Sequence, residues 1–505
     1  MSRPGFVIEV DDRAPALLTL SGQQLGLRRL GIGTQVVYPA EATPSNNPLQ
    51  LVDAALEAPS GGETLAERLS PETRLTLVVL DDERVRPRMR FDVRRGIVER
   101  VLEVAARAGV DDVAIVIAGG LNKRWSPYDI TRVLGDRVAT SFQPDGRIES
   151  HDITAPDLVA LGEVDGHEVR CNRRVAESDL VVTIGAQFGS ASFCPISSGL
   201  ADVATLRRLG GVDPATPFAT AVRDLFVDRL PVFSVQAVLG QPYLGGLLRY
   251  AWQREWEWTF PDQMAFAAAR QLGALAPKVA GRLLHATPVA DYAVLDVLGG
   301  DPASTFQQAE GVWQAANTVP IPKQADVVVT SVWGGSFDDG DPVGSPINAA
   351  QHALVRRMGS HLERPYGREG AVAIAFHPLV PRFSNRRQSS ASDFFAQVLP
   401  TTVDPAHMQE FEEAACQDQW YVDLYRKQFA DHPLRTFQSW YRVRAATERF
   451  ADVIWVGGNR RTADLFGHRA ATTYADALEI ASDKVGRTPV ISYLHAPGLP
   501  LGDVR

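Results

Sequence analysis

The sequence predicts an α/β fold of two α/β domains with a cleft between them, and three observations carry that prediction. The chain is 505 residues long, more than one ordinary hydrophobic core organises, so two domains are expected. Its apolar share of 45% and charged share of 22% sit at globular averages. Short β-branched and aliphatic runs alternate with helical patterns in both halves, the mark of βαβ units around parallel sheets.

Taken in order, Leu75–Leu80 reads as a strand, residues 92–108 as a helix and Val113–Ala118 as the next strand. In that helix Ile97, Val98, Val101, Leu102 and Ala105 share one face, and Arg94, Arg95, Glu99 and Arg100 are left for solvent. Gly109 supplies the C-terminal stop. A third strand spans residues 180–184, and the small-residue loop beyond it, through Ser198 and Gly199, is a candidate site, because ligands of α/β sheets bind at strand carboxyl ends. Residues 249–286 are helical in composition and end at Thr287-Pro288. The expected division is therefore an N-terminal domain over residues 1–285 and a C-terminal domain over 286–505. In the second half, strands are expected at 326–332, 371–376, 453–457 and 489–494. A helix over 407–430 carries an apolar stripe of Phe411, Ala414, Ala415, Val422, Tyr425 and Phe429.

A net charge of −9 with basic residues scattered among acids excludes a nucleic-acid face. Apolar runs reach only strand length, far short of the ~20 residues of a membrane helix, and the N-terminus lacks a signal-peptide core, so a cytoplasmic protein is expected. The three cysteines, Cys171, Cys194 and Cys416, form no C-x-x-C pair, which indicates neither a disulfide framework nor a thiolate metal site.

Fixed points along the chain carry a resemblance. They begin with Ala55-Leu56-Glu57-Ala58-Pro59 and the leucines from Leu65 to Leu69. Glu83 follows, three places before Arg86-Pro87, and then the turn Ala118-Gly119-Gly120-Leu121-Asn122. Next come His151-Asp152, Leu161-Gly162, Gly166, Val169 and Asn172, then Glu177 to Leu180 leading to Gly185. Residues 453–459 and Thr473 to Leu478 close the series. In this order and spacing the sequence resembles the lactate racemase (LarA) family, which implies a LarA-like pair of α/β domains.

The resemblance also implies chemistry. The family uses a nickel-pincer nucleotide, which takes the α-hydride of a 2-hydroxy acid and returns it to the opposite face. The protein supplies a base, an anchor for the cofactor and a carboxylate clamp. At the matching positions this sequence departs from the family. Asn122 stands where the catalytic histidine belongs and does not titrate usefully. Arg173 replaces the anchoring lysine and stays protonated. Ser190 replaces the nickel-ligating histidine and is a poor ligand for that centre, so no metal ligand is assigned. Gln351 and His352 fall in the substrate-contacting motif, with His352 in the place of a lysine. Glu83 and Arg86 remain as a carboxylate clamp, to which Lys123 and Arg173 add positive charge, and the expected ligand is a small anion. Two readings stay open: a 2-hydroxy acid racemase or epimerase with its nickel residues replaced, and a catalytically divergent or non-catalytic homologue that binds a small anion between the domains.

Other histidines have functional and structural readings. His151 is a base if Asp152 holds it, although adjacent residues on extended chain point apart. His377, at the end of an expected strand, is placed to face a ligand. With His352 these are the candidate catalytic residues. His167 reads as an exposed turn histidine. The run Asp338-Asp339-Gly340-Asp341 lacks the spacing of a calcium loop, and Gly457 to Arg461 resembles an anion-binding turn without P-loop or dinucleotide spacing.

Overall fold

A computed structural model describes residues 3–22, 24–42, 45, 47–81, 88–189, 195–210, 216–244, 246–276, 289–333, 344–359, 364–384 and 387–504. The expectations for Glu83, Arg86, Ser190, Cys194 and the 338–341 acidic run lie outside the described residues.

Two sheets organise the chain. In the first, the described strands run in the order Arg88–Met89, Val289–Gly300, Val232–Leu244, Leu180–Gln187, Leu75–Leu80, Val113–Ala118 and Ile148–Ser150. Its centre is parallel: Leu75 to Leu80 match Val113 to Ala118 on one side, and Leu75 to Val79 match Leu180 to Ile184 on the other. These strands are buried on both faces, which explains their unbroken apolar composition. The helix Val93–Arg107 covers one face, capped by the Asp92 side chain accepting from the Arg94 N–H. It buries Ile97, Val98, Val101 and Ala105, each contributing on the order of 1–3 kcal/mol of apolar burial. The expectation for Arg94 is corrected: its side chain is fully buried and paired with Asp92 at 2.7 Å. It also donates to the Leu80 carbonyl at 2.9 Å and stacks over Trp125.

The second sheet runs Phe6–Glu9, Gln35–Tyr38, Ile491–Leu494, Ala325–Trp333, Gly367–Phe376, Phe450–Val456 and Arg469–Ala471, with the hairpin Leu17–Gly22 and Gln24–Arg28 joined to the end of Ala325–Trp333. Its central strands are again parallel.

Strand pairing departs from the expected division at 285/286. The first forty residues join the second sheet, where Gln35 to Val37 lie beside Ser492 to Leu494. Val289–Gly300 pairs antiparallel with Val232–Leu244 in the first. Alternation and composition mark a segment as a strand; they do not name its partner across hundreds of residues. The chain thus begins in one lobe, builds the other and returns. The expected long helix over 407–430 is two helices, Gln409–Gln417 and Gln419–Gln428. Only part of its stripe is covered, with Tyr425 entering the core of the first lobe and Phe411 exposed.

Candidate functional site

The carboxyl ends of Leu75–Leu80 and Val113–Ala118 lead into Asp81 and the turn Gly119 to Asn122. Two glycines make this turn possible. Gly120 sits at φ +52°, and a Cβ there would meet the Ser198 carbonyl oxygen at 2.3 Å; one on Gly199 would meet the Ala118 Cβ at 2.8 Å. The small-residue loop flagged in the sequence is therefore pressed against the turn, and Gly120 N–H donates to the Gly199 carbonyl. Asn122 is fixed by its amide donating to the Asp81 carbonyl at 3.2 Å.

The second lobe meets the turn through residues 425–432. The Tyr425 hydroxyl donates to the Gly120 carbonyl, the His432 N–H to the Leu121 carbonyl, and the Lys123 N–H to Asp431 Oδ1 at 3.1 Å. Asp431 also accepts from Arg435 Nη1 at 2.6 Å, with Arg387 Nε 3.9 Å away. Asp431, Arg435, Ser345, Asn348, Gln388 and Ser390 line a cleft with about 340 Å³ of empty space, part of it open to solvent.

Three helices begin here. One is Pro346–Ala350, capped by the Ser345 hydroxyl accepting from the Asn348 N–H and continued as a π-helix over Gln351–Arg357. The second, Ser389–Asp393, follows Gln388 and continues over Phe394–Val398. Pro433–Glu448, capped by the His432 ring accepting from the Leu434 N–H, is the third. Helix N-termini carry partial positive charge and unpaired N–H groups. Among the described residues, the Arg435 and Arg387 guanidiniums stand beside the Asp431 carboxylate here.

Asn122, Lys123 and the start of the helix carrying Gln351 and His352 are thus brought to one region, joined through Asp431 and Arg435. The Lys123 ammonium itself is taken up by Asp129, the partner of the Ser126 cap. Arg173 is not in this region. The neighbouring Arg174 donates to the carbonyls of Leu75 and Asp112, at the opening ends of their strands, whereas Asn122 bonds just past the closing end of Leu75–Leu80. Six residues of extended chain separate the two edges, on the order of 20 Å. Arg173 is half exposed there, paired with Glu177 at 3.3 Å and Asp157 at 3.7 Å. The expectation that Lys123 and Arg173 add their charge to one site fails at Arg173.

Of the three candidate histidines, His151 lies apart from the other two. His151 is buried in the first lobe, its Nε2 against the Ala201 carbonyl at 3.2 Å, and burial pulls its pKa down to about 4. Asp152 faces Arg426 at 2.7 Å instead of holding the ring. His377 is buried at the carboxyl end of Gly367–Phe376, its Nδ1 accepting from the Leu379 N–H. His352 lies near it; burial, then Arg357, Arg356 and His377, hold its pKa well below the ordinary value. Its ring makes no hydrogen bond among the described residues. His167 is half-buried against the Thr205 hydroxyl at 3.0 Å.

Sequence reasoning missed Asp431, Arg435, Gln388 and Ser345. The Ser345-Pro346 and His432-Pro433 pairs are legible cap-then-proline helix starts, but their convergence is a property of the tertiary fold.

Residues 31–188 match the family model described as the lactate racemase N-terminal domain. Nothing matches among curated proteins. Among solved structures, the lactate racemase apoprotein from Thermoanaerobacterium thermosaccharolyticum is similar with a TM-score of 0.60 and 14% identity, over 97% of this chain and 100% of that one. That likeness establishes a shared fold. A structural-genomics protein from Thermotoga maritima gives a TM-score of 0.48 and 13% identity over 92% of this chain and 100% of its own.

Proposed function

We propose that this chain, whose residues 31–188 match the lactate racemase N-terminal domain, is a divergent member of that family that binds a small carboxylate in the second lobe, beside its junction with the first, without the family's nickel chemistry. The observation that carries the reading is the cleft at Arg435, where three helices begin and, among the described residues, Arg435 lies 2.6 Å and Arg387 3.9 Å from the Asp431 carboxylate. A 2-hydroxy acid or its keto form suits such a site, its carboxylate taking the fork of Arg435 and its hydroxyl the side chains of Ser345, Asn348 or Ser390.

The nickel-pincer nucleotide requires an anchoring nucleophile and a soft metal ligand. Arg173 lies at the far edge of the first sheet in ion pairs with acids. The residues present do not fit that group. Asn122 has no proton to exchange near neutral pH, while His151 and His377 are buried and committed to the backbone.

The racemase or epimerase reading keeps one specific observation in its favour: His352 follows Gln351 on the helix that opens at the cleft, and its ring has no hydrogen-bond partner among the described residues. As a base it would be weak, because its surroundings favour the neutral form and its proton affinity is low. Among the described residues no helix is long and apolar enough to cross a membrane; with Cys171 and Cys416 unpaired, a cytoplasmic location is the one we propose.

The test is a thermal-shift panel of 2-hydroxy acids, 2-keto acids and nucleotides, followed by chiral chromatography of each bound hydroxy acid incubated with the protein produced beside cofactor-maturation proteins. Stabilisation by carboxylates with no interconversion of enantiomers is expected. Racemisation would contradict the loss of nickel chemistry, and silence across the carboxylates would contradict the binding site.

A further inference from the structure

A second cleft lies on the opposite border of the second sheet, where the segment after Val232–Leu244 packs against the ends of Gln35–Tyr38 and Ile491–Leu494. Its walls include Tyr38, Glu41, Tyr243, Trp252, Arg254 and His495, around about 400 Å³ of empty space partly open to solvent. Behind it lies a polar cluster unusual for its depth. Glu255, nearly fully buried, accepts from the Leu18 N–H at 2.7 Å, from His495 Nε2 at 2.7 Å and from the Tyr38 hydroxyl at 3.0 Å. Tyr38 stacks on the His495 ring at 4.5 Å between centroids. A carboxylate bound to one ring nitrogen fixes the orientation of an imidazole and leaves the other nitrogen for a partner. Among the described residues, His495 Nδ1 makes no hydrogen bond. The Trp252 indole N–H is buried and likewise lacks a partner, a cost of about 1–3 kcal/mol that a ligand accepting from it would remove.

The charges around this cleft are matched. Arg3 and Arg254 face Glu41 at 3.7 and 3.6 Å and Glu257 at 2.6 and 3.9 Å, and the Glu255 carboxylate is buried under its three hydrogen bonds. No excess of either sign is left to hold an ion. Aromatic walls with two unpartnered ring nitrogens suit a flat, neutral molecule. We propose that this cleft is a second binding site, for a small uncharged ring with a hydrogen-bonding edge, such as an amide or a nitrogen heterocycle, with His495 as its anchor and Trp252 as its donor. The site is separate from the carboxylate cleft and stands whether or not that reading holds.

The experiment uses the full chain with nitrogen-15 in its histidine rings, titrated with 2-pyridone and benzamide as probes and with benzoate and lactate as charged controls. Both probes are expected to move the His495 ring signals saturably, and the charged controls to leave them in place. Trp252→Phe keeps the aromatic wall and removes the donor, so binding weakens about tenfold, as loss of one hydrogen bond implies. Tyr243→Trp fills the cleft and abolishes binding, with a melting temperature near that of the parent showing an intact fold. The proposal is overturned if neither probe moves His495 up to its solubility limit, or if the probes bind Trp252→Phe as tightly as the parent chain.

Discussion

Arg94 shows how a charged side chain is stabilised where the helical spacing demands burial. Positions 94, 97, 98, 101 and 105 fall on one helical face, so spacing alone places Arg94 with the core; its charge argued for solvent, and the charge argument was the weaker one. Asp92, three donated hydrogen bonds and the Trp125 ring compensate the guanidinium. Replacing Arg94 with Met leaves Asp92 buried without its cation and is expected to cost about 3–5 kcal/mol, read from urea unfolding midpoints; a cost under 1 kcal/mol would mean that water reaches the pair. Arg357 solves the same problem without an acid. It is fully buried, donating to Thr330 Oγ1 and to the carbonyls of Leu494, His495, Pro497 and Gly498, and burial lowers its pKa to about 10. It holds the segment that carries His495, so Arg357→Lys, which cannot reproduce the planar fork, is expected to destabilise the chain and to disturb the His495 ring signals together. An unchanged His495 spectrum in that variant would separate the two.

At the scale of elements, the central strands were legible because a parallel strand buried on both faces must be apolar throughout, as Leu75–Leu80 and Val113–Ala118 are. The turn after Val113–Ala118 was legible as a turn from its glycines. Its partner was not, because the contact with Ser198 and Gly199 is made by backbone, and backbone leaves no side-chain signature. Gly120→Ala adds a Cβ into the Ser198 carbonyl at a left-handed position. We expect it to destabilise by about 2–5 kcal/mol and to weaken carboxylate binding, measured by calorimetry on the folded variant; wild-type affinity would detach the turn from the site. Arg173 marks the limit of matching by motif. A sequence can set a residue one place after an asparagine without saying at which edge of the sheet the loop lies, and here Asn172 caps the short helix Arg173–Ala176 beside the strand openings.

Over the whole molecule, the lobes are interleaved: the N-terminal strands complete the second sheet, and residues 425–434 reach into the first lobe. No local pattern announces such pairing. Interleaving buries titratable groups at the junction, His151 and His432 among them, and the second lobe buries His468 within itself. His151, His432 and His468 are held neutral by burial, with pKa values near 4, 4 and 3 against an ordinary 6.5. Their unfolded forms take up protons that the native forms refuse, so stability falls as pH drops below 6.5, by up to about 4 kcal/mol per pH unit for the three. Glu255 acts in a lower window. Burial raises its pKa, but His495 and the Leu18 N–H outweigh this and hold it below 4.5, so its contribution is present above 4.5 and lost below. Urea unfolding at pH 7, 6 and 5 is expected to show a steepening loss; flat stability across that range would mean that the histidines are solvated. The central claim, a carboxylate site in the second lobe beside its junction with the first that works without nickel, is tested most directly by calorimetric titration of lactate into the metal-free chain and into the charge-balanced double variant Asp431→Asn, Arg435→Met. The account predicts saturable one-to-one binding to the parent and at least about tenfold weaker binding to the double variant; equal affinity for both, or no binding to the parent, would contradict it.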